Sequence, residues 1–97
     1  VLVALALRTA VRVRDWRDER QLFGSAASAG SRSPRVWYNY GNALMASEGT
    51  RAAAIDAYRV GLGLAPNDAL LWLNLGVALH RGGDYAGARR AYERSLA

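Results

Sequence analysis

The chain carries one pattern of residues twice. A segment that begins at Trp37 (Trp-Tyr-Asn-Tyr-Gly-Asn-Ala-Leu) recurs at Trp72 as Trp-Leu-Asn-Leu-Gly-Val-Ala-Leu, 35 residues later. A small residue and an aromatic one recur 34 residues apart, as Ala54 and Tyr58 and then as Ala88 and Tyr92. Similarity at this period is typical of stacked repeats, in which each unit buries its apolar face on its neighbours. The difference of one residue between the two spacings predicts a single insertion in the turn between Leu44 and Ala54. Such arrays usually bind partners and seldom hold a compact catalytic pocket.

Composition excludes several kinds of chemistry. The 97 residues contain no cysteine and one histidine, His80. This excludes disulfides, thiolate nucleophiles and zinc-finger ligand sets, and one imidazole is too few for a multi-histidine metal site or a Ser-His-Asp relay. The sequence therefore predicts no metal, no cofactor and no catalytic residue in this chain.

The positive charge is concentrated in the first third of the chain. Residues 1–35 hold seven arginines and three acids, a net charge of +4, whereas residues 36–97 hold six arginines and five acids, a net charge of +1. A nucleic-acid-binding surface needs a basic stripe along its working face. Because the repeated region is nearly neutral, nucleic acid is not an expected partner.

The first residues differ in character from the rest. Residues 1–7 are apolar on every side, and Arg8, Arg12 and Arg14 follow. We expect residues 1–14 to be the end of a transmembrane helix and a basic stretch beside it, although a span needs about 20 apolar residues. The alternative is a hydrophobic helix that caps the array. Because the chain starts at Val1 and stops within an amphipathic pattern, we expect it to continue beyond both ends.

Helical spacing predicts an all-α fold. Apolar residues lie three or four apart in five segments, and none of the chain shows sustained period-two alternation. The predicted helices are 15–29, 34–46, 50–64, 69–81 and 84–96. Ser33-Pro34 suits a helix start, and Asn67 or Asp68 is a natural N-cap for the fourth helix.

The two units resemble tetratricopeptide repeats, whose helix–turn–helix unit of 34 residues has an aromatic, a glycine, small residues and a closing proline at fixed positions. The matching signature residues are Trp37, Gly41, Ala54, Tyr58 and Pro66 in the first unit and Trp72, Gly76, Ala88 and Tyr92 in the second. The first unit departs from the pattern in Tyr40, Gly61 and the extra turn residue. The resemblance implies a fragment of a right-handed superhelical array. Residues 15–33 would form half a repeat and a linker, 34–66 the first repeat, and 67–97 the second.

A second resemblance covers nearly the whole chain. The residues that carry it are an apolar run, then Arg8-Thr9, Trp16, Glu19 and Leu22-Phe23, and then the repeats. This order resembles the transmembrane and tetratricopeptide repeat-containing family. The resemblance implies an upstream membrane part that transfers mannose from dolichyl phosphate mannose to Ser or Thr of acceptor proteins. It also implies that the repeats lie in the lumen of the endoplasmic reticulum and engage acceptor or partner proteins.

Two alternatives stay open. One is a non-catalytic scaffold or adaptor array that mediates protein–protein interaction in the cytoplasm. The other is a different kind of bacterial membrane protein with a similar tail. The arginines beside the apolar run favour the cytoplasmic side of a membrane, whereas the family resemblance implies the lumenal side, which we take as the expectation.

The resemblance also implies where a partner binds. In tetratricopeptide arrays the first helices of successive units line a concave groove, and the groove positions most suited to an extended peptide here are Tyr38, Asn39, Asn42, Asn74, His80 and Arg81. Asn39 and Asn74 occupy the same position in the two units. A side-chain amide both donates and accepts, so a ladder of Asn can hold a peptide backbone of any sequence. The alternative is that each Asn only ties its helix to a neighbour.

Overall fold

The protein was studied as a computed structural model that describes residues 24–25 and 28–97. Its helices are α1 (Pro34–Leu44), α2 (Arg51–Leu64), α3 (Ala69–Arg81) and α4 (Tyr85–Leu96), with a short 3-10 turn (Glu48–Thr50) between α1 and α2. The predicted all-α fold is confirmed, and the residues that the structure describes contain no strand. Within this part of the chain, none of the helices combines the length and the apolar composition that a membrane span requires.

The predicted N-terminal features lie mostly outside the described residues. These are the transmembrane end over 1–14 and most of the predicted helix over 15–29. At the end of that helix, Gly24, Ser25 and Ser28 are helical, and the chain turns at Ala29 and Gly30. Gly30 has a φ of 74°, a conformation that glycine adopts without steric cost.

Consecutive helices pack on one another: α1 on α2, α2 on α3, and α3 on α4. The helices share one continuous core of small and large apolar side chains. Its buried members are Leu44, Ala54, Ala57, Tyr58, Leu62, Leu71, Leu75, Ala78, Leu79, Ala88 and Ala91. The α1–α2 and α3–α4 pairs correspond to the two predicted repeat units, and the α2–α3 contact lies between them.

The turn inside the first unit absorbs the predicted extra residue. The first helix was predicted to reach residue 46, but it ends at Leu44. The Thr50 hydroxyl donates to the Leu44 carbonyl at 2.5 Å, and the Thr50 amide donates to Ser47 O at 3.2 Å. These bonds close the 3-10 turn and satisfy a carbonyl that a longer helix would have used, so α2 begins at Arg51.

Aspartates begin both helices of the second unit. The Asp68 carboxylate accepts from the backbone amides of Leu70 and Leu71, at 3.0 and 3.2 Å, and the Asp84 carboxylate accepts from the Gly87 amide at 2.9 Å. Of the two predicted caps for α3, Asp68 is therefore the one used. Each cap satisfies amides that the first turn of a helix leaves unpaired.

Each tryptophan of the pattern anchors the loop that precedes its unit. The Trp37 indole Nε1 donates to the Ser31 carbonyl at 2.8 Å, and the Trp72 Nε1 donates to the Pro66 carbonyl at 2.7 Å. Both bonds reach back six residues. The repeated aromatic thus fixes the entry of the chain into each unit, and both of the half-buried rings find an acceptor for the indole N–H.

Candidate peptide-binding groove

A short chain of hydrogen bonds joins the first helices of the two units. Asn42 on α1 accepts at its Oδ1 from Asn74 Nδ2 on α3, at 2.8 Å. The same oxygen accepts from the Tyr58 hydroxyl on α2, at 2.6 Å. Asn42 can take both bonds because an amide oxygen has two lone pairs. These hydrogen bonds therefore link α1 to α3 directly as well as to α2.

This hydrogen-bonded chain lies at the wall of a pocket of about 310 Å³. We call the pocket the concave groove, and its lining residues are Asn42, Met45, Tyr58, Asn74, Val77 and Arg81. A neighbouring pocket of about 350 Å³ lies toward the 3-10 turn and shares Met45 and Arg81 with it. Arg81 therefore stands between the two pockets with its side chain exposed. The surface combines amide groups, one cation and apolar walls, which suits a peptide better than a small apolar ligand.

Tyr58 is a residue of the groove whose pKa is shifted from its ordinary value. Burial raises the pKa of its hydroxyl from 10.0 to about 12, because the phenolate would lose its solvation, and neighbouring Tyr38 acts in the same direction. The positive charge of Arg81 and the Asn74 amide lower this pKa and offset part of the effect. Near neutral pH the hydroxyl is protonated, so Tyr58 is a hydrogen-bond donor here and not a base.

Comparison with known proteins identifies the fold family. The family model described as tetratricopeptide repeat matches residues 5–69 and 49–97. The chain belongs to the tetratricopeptide repeat family. The solved structure MamA MSR-1 C2 has the same fold, with a TM-score of 0.77 over 91% of this chain and 50% of that chain, at 24% identity.

Three relatives are named protein O-mannosyl-transferases. Protein O-mannosyl-transferase TMTC4 of Mus musculus is 44% identical over 59 residues, which cover 61% of this chain and 8% of the relative. Protein O-mannosyl-transferase TMTC1 of Homo sapiens is 44% identical over 43 residues, or 44% of this chain and 5% of the relative. Protein O-mannosyl-transferase Tmtc3 of Drosophila melanogaster is 30% identical over all 97 residues, or 10% of the relative. The chain thus spans a tenth or less of the length of these relatives.

The structure brings some of the predicted groove residues together. Asn42, Asn74 and Arg81 line the concave groove, and Tyr38 lies close enough to influence Tyr58. Asn74 bonds to Asn42 and not to Asn39, its counterpart in the repeat. Asn39 is half-buried on α1 and is not among the residues that line this pocket.

The other predicted groove residues make aromatic contacts. The Arg35 guanidinium carbon lies 5.7 Å from the centroid of the Tyr38 ring. The exposed His80 packs edge-on against Tyr85 at the start of α4, with the ring centroids 5.1 Å apart. His80 is thereby directed toward the second helix of its own unit.

Sequence reasoning assigned Tyr58 only to the repeat signature and missed its polar end. Its ring fills the space beside Gly41, as the signature implies, while its hydroxyl reaches the groove. Two features of the sequence could have indicated this hydrogen bond: a tyrosine at a position that a phenylalanine would also fill, and an Asn on the preceding helix. Buried tyrosine hydroxyls usually find a partner.

Proposed function

We propose that the concave groove binds an extended segment of a partner protein through side-chain amides. The family supports this, because tetratricopeptide repeats are protein-binding modules. The observation that carries the proposal is the pocket built around Asn42, Asn74 and Tyr58, where α1 and α3 meet.

The hydrogen-bonding capacity of the Asn residues supports a peptide ligand. An Asn side chain has two N–H donors and a carbonyl that accepts twice. The bond to Asn42 uses one donor of Asn74, so its other donor and its carbonyl can meet a peptide amide unit. Asn39, at the equivalent position of the preceding unit, lies on α1 three residues before Asn42 and would extend the contacts with the peptide beyond the pocket. Arg81 and Tyr38 then distinguish between peptides by the charge and shape of their side chains.

At the level of the parent protein, we propose that this chain is the lumenal protein-binding part of a membrane protein O-mannosyltransferase. Such an enzyme would transfer mannose from dolichyl phosphate mannose to Ser or Thr, and this part would present acceptor or partner proteins to it. The names of the three relatives support the proposal, as does the alignment of all 97 residues with the Drosophila relative. The catalytic centre would lie in the membrane part, outside the printed sequence.

A peptide-binding assay tests the groove. An extended peptide selected from a random library for binding to the chain is measured by fluorescence anisotropy against Asn39→Ala/Asn74→Ala. The double variant should bind about tenfold more weakly, since two hydrogen bonds contribute about 1.4 kcal/mol together. Asn67→Ala, which removes an exposed amide from the loop before α3, should change affinity less than about twofold.

Thermal melting separates binding from stability. Gly76→Leu should unfold the α3–α4 pair, because a side chain at Gly76 meets the Tyr92 ring. If the Asn double variant lowers the melting temperature as much as Gly76→Leu does, both amides are structural ties and the peptide proposal is wrong.

The gene sequence upstream of Val1 tests the parent enzyme. Many hydrophobic spans ahead of this chain would support a membrane glycosyltransferase. A soluble upstream sequence or further repeats would instead support a non-catalytic scaffold or adaptor. The peptide proposal stands or falls separately, because it concerns only the groove.

A further inference from the structure

A second groove lies on the opposite side of α3 from the concave groove. It runs between α2 and α4 and has a volume of about 370 Å³. Trp72, Leu75 and Leu79 line it from α3, whereas Asn74, Val77 and Arg81 of the same helix line the concave groove. The two sets stand on opposite faces because residues two positions apart on a helix differ by about 200° in direction.

Three arginines line this second groove, which we call the arginine groove: Arg59 from α2 and Arg90 and Arg94 from α4. Its floor is apolar and includes Leu62, Leu75 and Leu79, all of them buried core residues. The structure places Arg90 and Arg94 with Arg59 around an apolar recess, and all three side chains remain exposed.

These arginines have no acidic partner within the described part of the chain. The one ion pair found there joins Arg89 to Glu93 at 3.2 Å, with the Arg89 side chain 83% exposed. The only acid that lines the arginine groove is Asp84, and its carboxylate accepts from the Gly87 amide as the cap of α4. Three cations and one engaged carboxylate leave the groove with a net positive charge of two.

One of the arginines lies over an aromatic ring. The Arg94 guanidinium carbon lies 5.3 Å from the centroid of the Trp72 ring. A cation–π contact attracts the guanidinium to the ring face and favours this arrangement, and the exposed Arg94 keeps N–H donors that can make paired hydrogen bonds to a carboxylate. A preorganised donor loses less entropy on binding than a freely moving one.

We propose that the arginine groove is a second protein-binding site, which takes an acidic segment whose carboxylates flank apolar side chains. The carboxylates bind Arg59, Arg90 and Arg94, and the apolar side chains rest on the Leu62 and Leu79 floor. The positive charge of the groove favours an acidic segment. The recess between α2 and α4 favours a segment narrow enough to enter it. A flat membrane surface fits a recess less well. A nucleic acid is disfavoured because residues 36–97 hold six arginines and five acids, a net of only +1.

The test uses a synthetic fluorescent peptide with Glu and Leu at helical spacing, and a matched peptide with Lys in place of Glu. Anisotropy titrations compare the wild-type chain with Arg59→Gln/Arg90→Gln. The matched control is Arg32→Gln/Arg89→Gln, which removes the same charge from exposed positions outside the groove. We expect the acidic peptide to bind, the groove variant to bind about tenfold more weakly or worse, and the control to change less than about threefold.

Equal weakening by the two double variants would overturn the proposal, because it would show only a general charge effect. Binding of the Lys peptide as tightly as the Glu peptide would do the same. Loss of binding in Asn39→Ala/Asn74→Ala but not in Arg59→Gln/Arg90→Gln would assign the peptide to the concave groove and overturn this second site. Sedimentation with vesicles that contain phosphatidylserine, if it is lost in Arg59→Gln/Arg90→Gln and the acidic peptide does not bind, would assign the groove to a membrane surface instead.

NMR mapping of the peptide-binding surface on the wild-type chain tests the same proposal without a variant. On addition of the acidic peptide, the amide NMR shifts should change around Ala91 on α4 and Leu62 on α2. Changes confined to the surface around Asn74 and Val77 would contradict the proposal.

Discussion

Tyr58 belongs both to the core of the first unit and to the concave groove. Its side chain is 1% exposed, and its ring occupies the space that Gly41 leaves open, since a Cβ at Gly41 would overlap the ring. Its hydroxyl donates to Asn42 in the concave groove. A change in the protonation of Tyr58 therefore affects both the packing of the first unit and the groove that we propose binds peptide.

The raised pKa of Tyr58 predicts a loss of stability at alkaline pH. A tyrosine whose pKa is about 12 when folded and about 10 when unfolded stabilises the fold fully below pH 10. That contribution is lost as the pH rises to 12, by about 2 kcal/mol at pH 12. Urea denaturation at pH 8 and pH 12 of the wild-type chain and Tyr58→Phe measures it.

The expected result is a reversal between the two proteins. At pH 8 Tyr58→Phe should be less stable by about 1 kcal/mol, because Asn42 loses a donor. At pH 12 Tyr58→Phe should be the more stable protein, because phenylalanine has no ionisation cost. A stability difference of the same size and sign at both pH values would contradict the raised pKa of the buried Tyr58 hydroxyl.

At the scale of the helix, small residues decide how closely the two helices of a unit approach. A Cβ at Gly76 on α3 would lie 2.6 Å from ring atoms of Tyr92 on α4, well inside contact distance. Gly63, near the end of α2, would meet nothing within 4 Å. The two glycines therefore differ in what an alanine would do, although both lie in helices.

The prediction is that Gly76→Ala and Gly63→Ala change stability in opposite directions. Gly76→Ala should cost about 1–3 kcal/mol, because the Tyr92 ring must move. Gly63→Ala should gain about 0.5 kcal/mol, because alanine favours the helix and restricts the unfolded chain. Thermal and urea unfolding measure both. A gain in stability from Gly76→Ala would show that the two helices of the second unit are not in contact at this point.

At the scale of the whole molecule, the packing of α2 on α3 holds the cores of the two repeat units together. Leu71 on α3 is fully buried, with 0% exposure, and its methyl carbons lie 3.1 Å from where a Cβ at Gly61 on α2 would be. In repeat proteins stability is roughly the sum of the unit stabilities and the contacts between neighbours. The α2–α3 contact therefore determines whether the two units unfold together.

Leu71→Ala should separate the unfolding of the two units. It should cost about 2–5 kcal/mol, because the surrounding core closes only partly over the lost side chain. Hydrogen exchange followed by mass spectrometry should show equal protection of α1 and α4 in the wild-type chain and unequal protection in the variant. Leu70→Ala, at a neighbouring residue that is 48% exposed, should change stability by less than about 0.5 kcal/mol. Equal loss of protection in both helices of Leu71→Ala would show that the units still unfold as one.

The amino-acid sequence by itself determined the helices and their pairing. The period of the pattern predicted the two units and the extra turn residue, and the spacing of apolar residues predicted all four helices to within two residues at each end. Asp68 was named among the caps because N-cap preferences depend on the next three residues alone. These features are local, so a single chain reveals them.

Only the tertiary structure decided which side chains meet across helices. Asn74 bonds to Asn42 and not to Asn39, because the angle and register between α1 and α3 set the partner and the repeat position does not. Arg59 and Arg90 line one groove although they are 31 residues apart in the sequence. A helical pattern gives the face on which a residue lies, but the distance between two faces depends on how all the core side chains pack together.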